Sequence, residues 1–502
     1  MNAILSFIDR TTMYRLVLYY LAVLLVAALA ASAVGALSYD PASLAWSFLI
    51  LALSAWLVNE LLAFAFRVDT NIESFLITAL ILVLILPPVA FANTAGTLDL
   101  AVIGAWAVAS KYVFAFGKKH LFNPAAFAVV LSAFLLGVPA TWWVGGNLVL
   151  LPFVFLGGLM IVHKLRRYDL VLTFFAVALA TIALTALSPM RSLESTLLHS
   201  SIFFLAFAML TEPLTMPPTR KLRVVYAAIV GFLFAPAIHL GSFFFSPELA
   251  LVIGNVFSYL ASPKGRYTLT LVARKKLAKG IYEFVFRPDR PMPHEAGQYV
   301  EWTLGKGIPF DSRGNRRYFT IASAPEEPNI ALGVRFYESP SGFKRGLAAL
   351  KAGDSIAVGS LAGDFTLPKD RARKVAFIAG GIGVTPFASM ARHMNATGEK
   401  RDAVLLYSSK TAEEVAYQSD FARAAAEGLR TTYLLTDEVP RLPGARHGFV
   451  NAALIKEEVP DYKERTFYVS GPPGMVNAMK HTLRSLGVSR FRIKTDYFPG
   501  LA

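Results

Sequence analysis

The chain has 502 residues, 55% of them hydrophobic against 17% charged, a formal net charge of +15 and no cysteine. The apolar fraction is too high for an ordinary soluble chain, so part of it is expected in lipid; the missing cysteine excludes disulfides, thiolate zinc sites, Cys-ligated iron–sulfur clusters and a cysteine nucleophile. The basic surplus is scattered, with no aromatic-basic stripe or helix-turn-helix pattern, and points to an anionic inner leaflet or phosphate-rich cofactors, not to nucleic acid.

Up to Pro263 the chain is a succession of long apolar runs with 13 Lys+Arg against 10 Asp+Glu; from Lys264 onward the counts are 36 against 24. The expected domains are 1–263, 264–368 and 369–502. A bilayer span takes about twenty apolar residues. About ten candidates fall near 14–36, 44–66, 74–91, 97–115, 121–138, 147–163, 168–187, 197–211, 222–240 and 247–262, some interrupted by breakers such as Pro87-Pro88 and Pro236. Lys and Arg gather in alternate connections, at Arg67, at Lys111, Lys118 and Lys119, at Lys164, Arg166 and Arg167, and at Arg220, Lys221 and Arg223; the connections between hold none but Arg191. Lys/Arg-rich loops stay cytoplasmic. Both ends (Arg10 and Arg15, Lys264 and Arg266) and the whole second half are therefore expected inside, on a multi-pass protein of the inner (plasma) membrane. The first apolar run is too long for a signal-peptide core and reads as a retained span, with an interfacial helix over 2–13 before it. Glu60 sits near an inner helix end, where it either snorkels to the interface or serves a proton or cation. His120, His163, His199 and His239 lie on different spans and read as satisfied polar residues. Asn123-Pro124 is either a helix-end device or part of a binding site.

Several connections share a pattern: Asp69-Thr-Asn-Ile-Glu73 leading to Pro87-Pro88, Lys111-Tyr112 before His120-Leu-Phe-Asn123-Pro124-Ala-Ala, Lys164 to Asp169, and Thr211-Glu212-Pro213-Leu-Thr215-Met-Pro217-Pro218. Over roughly 50–240 these blocks resemble the NqrB/RnfD family, integral-membrane subunits of sodium-translocating quinone reductase and the Rnf electron-transport complex. The resemblance implies a polytopic helical bundle that holds FMN or riboflavin and passes electrons through the membrane. Those proteins attach FMN to a threonine in a Ser/Asp-Gly-Ala-Thr motif, which this sequence lacks; its nearest substitute is Thr141.

After Lys264, Tyr267-Thr-Leu-Thr-Leu-Val and Ile281-Tyr-Glu-Phe-Val-Phe286 alternate with period two, as half-buried strands do, and a small β-barrel is expected up to 368. From Lys374 strands alternate with helices, which predicts a doubly wound parallel sheet. Three segments carry chemistry. Arg317-Tyr318-Phe319-Thr320 ends a barrel strand with Arg317 and Phe319 on one face and Thr320 on the other. It offers a pyrophosphate fork, a flat apolar cover and a hydroxyl donor, and it is also what an ordinary amphipathic strand looks like. Gly380-Gly381-Ile-Gly383-Val-Thr385-Pro386 sits between strand and helix, where backbone N–H groups can meet a phosphate. Ser470-Gly471-Pro472-Pro473-Gly474 lies at another such junction.

In this order, with Gly297-Gln-Tyr, Gly359, Gly363-Asp-Phe365 and Asp496-Tyr497-Phe498, the segments resemble the ferredoxin–NADP reductase family. The resemblance implies FAD and NAD(P)H as cofactors. It puts Arg317 on the FAD pyrophosphate, Phe319 by the isoalloxazine, Thr320 near N5, and Tyr318, Ser323, Ser341, Gly342, Gly363 and Phe365 among the cofactor-binding positions. Gly380, Gly381, Gly383, Thr385 and Pro386 would hold the dinucleotide pyrophosphate, and Gly471 and Pro472 would border the nicotinamide. Thr320, Ser470 and Phe498 are the catalytic candidates; Ser470 stands where the family commonly has Cys, and Asp496 where it has Glu. Ser408, Ser409 and Lys410 leave NADH and NADPH both open.

Together the halves imply a membrane-bound oxidoreductase taking hydride from NAD(P)H to FAD and sending electrons to a membrane flavin, a quinone or redox partner protein, or an outer-face acceptor. One alternative is a haem bundle like that of ferric reductases and NADPH oxidases, although no expected span carries two histidines. The other is an anchor or transporter with an appended reductase serving soluble acceptors.

Overall fold

The computed structural model describes residues 7–8, 11–66, 72–116, 119–262, 267–305, 315–439 and 444–496. The expected interfacial helix over 2–13, the boundary at Pro263-Lys264, the cations Arg10, Arg67, Lys118 and Arg266, and the terminal Tyr497 and Phe498 lie wholly or partly outside these residues. The chain forms two compact units, Met1–Lys264 and Gly265–Ala502.

The first unit is helical. Its helices are α1 (Met13–Ala33), α2 (Pro41–Phe66), α3 (Ile72–Ile85), α4 (Thr94–Val113), α5 (Pro124–Leu135), α6 (Leu151–Leu165), α7 (Tyr168–Thr185), α8 (Pro189–His199), the short α9 (Ile202–Phe204), α10 (Arg220–Phe234) and α11 (Pro247–Ala261). Among the described residues three helices, α1, α2 and α7, are long and apolar enough to cross a membrane. A fourth span exists if α8 and residues 202–209, bent by 63° from each other, count as one. The helices at α3, α5, α6 and α11 are apolar but shorter.

The reasons are local. The expected span 197–211 is not one helix, because α8 stops at His199 and the chain resumes after Ser200-Ser201 in a wide π turn, Leu205–Met209. The span 222–240 ends at Phe234, since Pro236 has no N–H to donate. Helix α3 ends before Pro87-Pro88, and the loop after α5 satisfies its last carbonyls. The Thr141 and Trp142 N–H groups both donate to the Ile85 oxygen, and the Trp143 indole donates to the Val83 and Leu86 oxygens at 3.0 Å. From Ala79 to Leu86 every side chain is buried, so α3 forms the centre of this unit.

The second unit has two sheets. Strands β5 (Tyr267–Ala278), β6 (Ile281–Pro288), β7 (Tyr299–Thr303), β8 (Arg316–Thr320), β9 (Ile330–Arg335) and β10 (Ser355–Ala362) follow four two-residue strands of the helical unit, β1 (Ala115–Phe116), β2 (Lys119–His120), β3 (His239–Leu240) and β4 (Phe243–Phe244). They form an antiparallel sheet in the order β8-β7-β10-β5-β6-β9. Its edges meet where the Ala322 N–H donates to the Ala331 oxygen, closing a barrel around Phe284, Phe286, Trp302 and Leu332. Helix α12 (Gly342–Ala349) lies after β9. The α/β part then runs β11 (Val375–Gly380), α13 (Thr385–Thr397), β12 (Ala403–Ser409), α14 (Gln418–Ala424), β13 (Leu429–Leu435), β14 (Arg446–His447), α15 (Ala452–Glu458), β15 (Thr466–Ser470), α16 (Pro473–Ser485) and β16 (Ile493–Asp496). These strands are parallel, in the order β14-β13-β12-β11-β15-β16. Every residue of β11 is buried, as a central parallel strand covered on both faces requires.

Candidate functional site

Strand order reverses at β11, and open α/β sheets bind ligands outside the carboxyl ends of their strands at such a point. There β11 leaves the sheet through a tight turn, Gly381–Val384, into α13. Gly381 has φ +52°, a conformation that disfavours a side chain. A Cβ on Gly383 would stand 2.5 Å from the Gly471 Cα, so the turns after β11 and β15 touch backbone to backbone. Thr385 starts α13 with its hydroxyl donating to the Ile382 oxygen at 3.2 Å, and Pro386 fills the first helical turn. This cradle of bare backbone at a helix N-terminus fits a pyrophosphate.

Ser470 ends β15 between Ala379 of β11 and Asp496 of β16. Pro472 and Met475 close over Gly380. Removal from water pushes the Asp496 carboxyl up to about 7, so at neutral pH it stands poised between acid and base.

On the barrel, Arg317 and Phe319 do share a face. Both reach the buried Phe343 of α12, the guanidinium 5.6 Å and the Phe319 ring 5.7 Å from its centre. That brings a cation to the first turn of a helix capped by Ser341, whose hydroxyl accepts the Lys344 N–H, with Gly342 next in line. Tyr318 points the other way, donating to Glu301 Oε2 at 2.8 Å, and Thr320 is buried beside Tyr299. Two of the expected cofactor positions are interior. Ser323 is fully buried and its hydroxyl accepts the Ala331 N–H, so it ties the barrel's edges together. Phe365 is core, edge-on to Tyr468 at 5.2 Å, while Gly363 beside it turns at φ +119° against Tyr299. Phe498 lies outside the described residues.

The sequence reading missed the seam between the two sheets. Arg392 of α13 binds Glu283 of β6 at 3.0 Å and Asp420 of α14 at 3.1 Å, with Tyr417 under the guanidinium. The signal was a carboxylate at an inward position of an alternating strand.

The helical unit has its own polar centre. Lys111 Nζ donates to the Ser74 oxygen, the Ser74 hydroxyl and the Thr78 hydroxyl at 2.8–3.0 Å. Asn123 caps α5 through its side-chain oxygen, donates from Nδ2 to Glu212 Oε2 at 2.8 Å, and gives its backbone N–H to Asn255, which in turn donates to Tyr226. The Asn123-Pro124 block is thus both a helix-end device and part of a network. Lys111, His120, Asn123, Thr211 and Glu212 line one cavity of about 60 Å³, room for a few waters as it stands. Glu60, expected as the one intramembrane acid, is exposed; Glu248 is buried and accepts the Trp142 indole N–H at 2.9 Å, and Glu212, half-buried, lines the cavity. Thr141 uses its hydroxyl on the Ile85 oxygen. His120, His163 and His239 each bond a carbonyl or hydroxyl. Among the described residues no group of three or more His, Asp or Glu is placed to hold a metal.

Residues 377–481 match the oxidoreductase NAD-binding domain family, about a fifth of the chain. The chain is 25% identical over 218 residues to a flavohemoprotein of Halalkalibacterium halodurans, covering 41% of this chain and 52% of that one. It is 29% identical over 202 residues to an NADPH oxidoreductase of Mycobacterium tuberculosis, 39% and 50% of the two chains. To the reductase subunit of an aromatic O-demethylase of Amycolatopsis it is 28% identical over 239 residues, 46% and 69%. Among solved structures, an Amycolatopsis cytochrome P450 reductase superposes with a TM-score of 0.41 at 29% identity, covering 47% of this chain and 70% of that one. The chain spans about half the length of the first two of these relatives. Its C-terminal unit thus carries an oxidoreductase NAD-binding domain at residues 377–481 and is similar to these reductases.

Proposed function

We propose that the chain is a membrane-bound reductase whose C-terminal unit, cytoplasmic and built of domains 264–368 and 369–502, oxidises NAD(P)H and sends the electrons into an NqrB/RnfD-like helical domain, 1–263. The observation that carries this reading is the pairing, in one chain, of the bare backbone cradle at Gly380–Gly383 and Gly471 with an apolar helical unit built around Lys111, Asn123 and Glu212. FAD supplies, when bound, the conversion between hydride and single-electron chemistry.

The chain's own residues do the rest. Arg317 and the first turn of α12 hold the FAD pyrophosphate, and Phe319 and Thr320 set the depth of the ring. The turn after β11 holds the dinucleotide pyrophosphate, and the Gly471 backbone lets the nicotinamide close in where a side chain would bar it. Asp496 holds or releases a proton at its carboxyl beside Ser470.

In the helical domain Lys111 and Glu212 line one cavity, which suits a polar quinone head or flavin edge entering with movement of the lining side chains. A resident flavin would be noncovalent, since Thr141 is engaged in capping α3. Acid release and chromatography of the flavins in the detergent-purified full-length chain tests this. FMN or riboflavin beside FAD supports a flavin in the helical domain; FAD alone leaves a quinone or outer-face acceptor. Recovery of the chain in the soluble fraction of lysed cells would contradict the membrane reading outright.

A further inference from the structure

Helices α7 and α10 begin at the same place in the helical unit. Arg223, in the first turn of α10, donates from Nε and Nη2 to Asp169 Oδ2 of α7 at 3.0 and 2.9 Å, and from Nη1 to the Pro218 oxygen at 2.9 Å. From there the two helices run side by side, so closely that a Cβ on Gly231 would stand 2.8 Å from the Phe174 oxygen. Charge gathers at their starts. Residues 164–169 and 219–223 together hold six Lys and Arg against one acid, Asp169, and Arg223 already takes that acid.

Arg167, the residue before α7, is half-buried, and its Nε is shut from water with no hydrogen-bond partner. A buried guanidinium N–H without an acceptor is costly. Lys221, in the first turn of α10, is exposed and forms no ion pair among the described residues. Each helix turns an apolar side chain outward directly past its cation. On α7 Tyr168 and, one turn on, Leu172 are exposed; on α10 Val225 lies one turn and Phe232 three turns beyond Lys221, both exposed. The Tyr168 hydroxyl bonds His163 Nδ1 at 2.7 Å, so its ring sets a polar tip and an apolar body between the cations and the stripe. A cationic rim that leads into two apolar stripes is complementary to a molecule with a phosphate at one end and hydrocarbon behind it. A soluble phosphate would match the rim alone.

We propose that the starts of α7 and α10 bind an anionic phospholipid, its phosphate held by Arg167 and Lys221 and its acyl chains laid along the exposed stripes of the two helices. The proposal rests on the reading of the helical unit as a membrane domain.

The test titrates the detergent-purified full-length chain with dioleoylphosphatidylglycerol and with dioleoylphosphatidylcholine in neutral mixed micelles and counts bound lipid by native mass spectrometry. Phosphatidylglycerol is expected to bind about tenfold tighter or more, the size of a charge-assisted contact, and the margin to shrink with added salt. Arg167→Gln with Lys221→Gln should erase that margin and leave ferricyanide reduction unchanged. Lys221→Gln alone, at an exposed position that folding does not depend on, should lower it severalfold. Lys275→Gln with Lys276→Gln, the same change of charge at exposed positions of the barrel strand β5, should keep it. Equal binding of the two lipids by wild type, or equal loss in both double variants, overturns the proposal. Displacement of bound phosphatidylglycerol by an equal concentration of glycerol 3-phosphate does so too, by assigning the cations to a soluble phosphate ester. Failure of the underlying reading looks different: the chain stays in solution without detergent and takes up neither lipid.

Discussion

Arg392 reaches from α13 to Glu283 on the barrel strand β6, Nη1 to Oε1 at 3.0 Å, and its other nitrogen meets Asp420. Both acids are nearly excluded from solvent, and the guanidinium is held firmly charged between them. Removing one member of such a group strands a buried charge, which costs roughly 3–5 kcal/mol. Arg392→Met in the full chain is therefore expected to lower the thermal release temperature of FAD sharply, and pairing it with Glu283→Gln should restore part of the loss. Additive losses in the double variant would show that the two do not act together.

Gly383→Ala pushes a methyl toward Gly471, 2.5 Å away with no flexible side chain to yield. The turns after β11 and β15 must part. NAD(P)H KM is expected to rise at least about tenfold while FAD content stays at one per chain, because the flavin residues sit on the barrel. An unchanged KM would place the dinucleotide elsewhere.

Asp496 gives a pH dependence with a definite sign. Its carboxyl is raised from the ordinary value near 3.8 to about 7, so the folded chain holds a proton that the unfolded chain has lost. Its contribution is most favourable below about pH 4, fades as pH rises through about 7, and is flat above. The rate of FAD reduction in stopped flow is expected to titrate near neutrality, and Asp496→Asn to remove that titration without loss of bound FAD. A profile identical in both proteins would assign the proton to another group.

Lys111→Met removes the cation that donates to the Ser74 oxygen and to the Ser74 and Thr78 hydroxyls in an apolar unit. Transfer to a membrane quinone is expected to fall at least about tenfold, while ferricyanide reduction, served by the C-terminal unit, stays within about twofold. Glu212→Gln, which keeps the shape of the side chain that Asn123 and Thr215 bond, should act in the same direction more mildly. Equal losses with both acceptors would mean a folding defect.

The C-terminal unit was legible because its signals are local. Period-two alternation marks β5 and β6, and a glycine turn directly after an apolar strand marks the end of β11. The grouping of Arg317 and Phe319 followed from strand geometry alone. Depth was not legible there: Ser323 and Phe365 stand next to expected site residues in sequence and turn inward. The helical unit was less legible, since a long apolar window does not show where a helix breaks. Ser200-Ser201 splits one expected span, and Pro87 ends α3 early. Glu248, at the start of α11, is buried, and nothing in its local sequence marks it as such. The Arg392–Glu283 pair joins residues far apart in the chain, and no local pattern announces it.

The central claim is that electrons pass from FAD into an acceptor held by the helical unit. It is tested most directly by titrating the full-length chain, extracted in native lipid discs under anaerobic conditions, with NADPH and counting electrons taken up per FAD. The account predicts more than the two that FAD alone accepts, with the excess lost in Lys111→Met. Two electrons per FAD in both proteins would contradict it and leave the helical unit as an anchor.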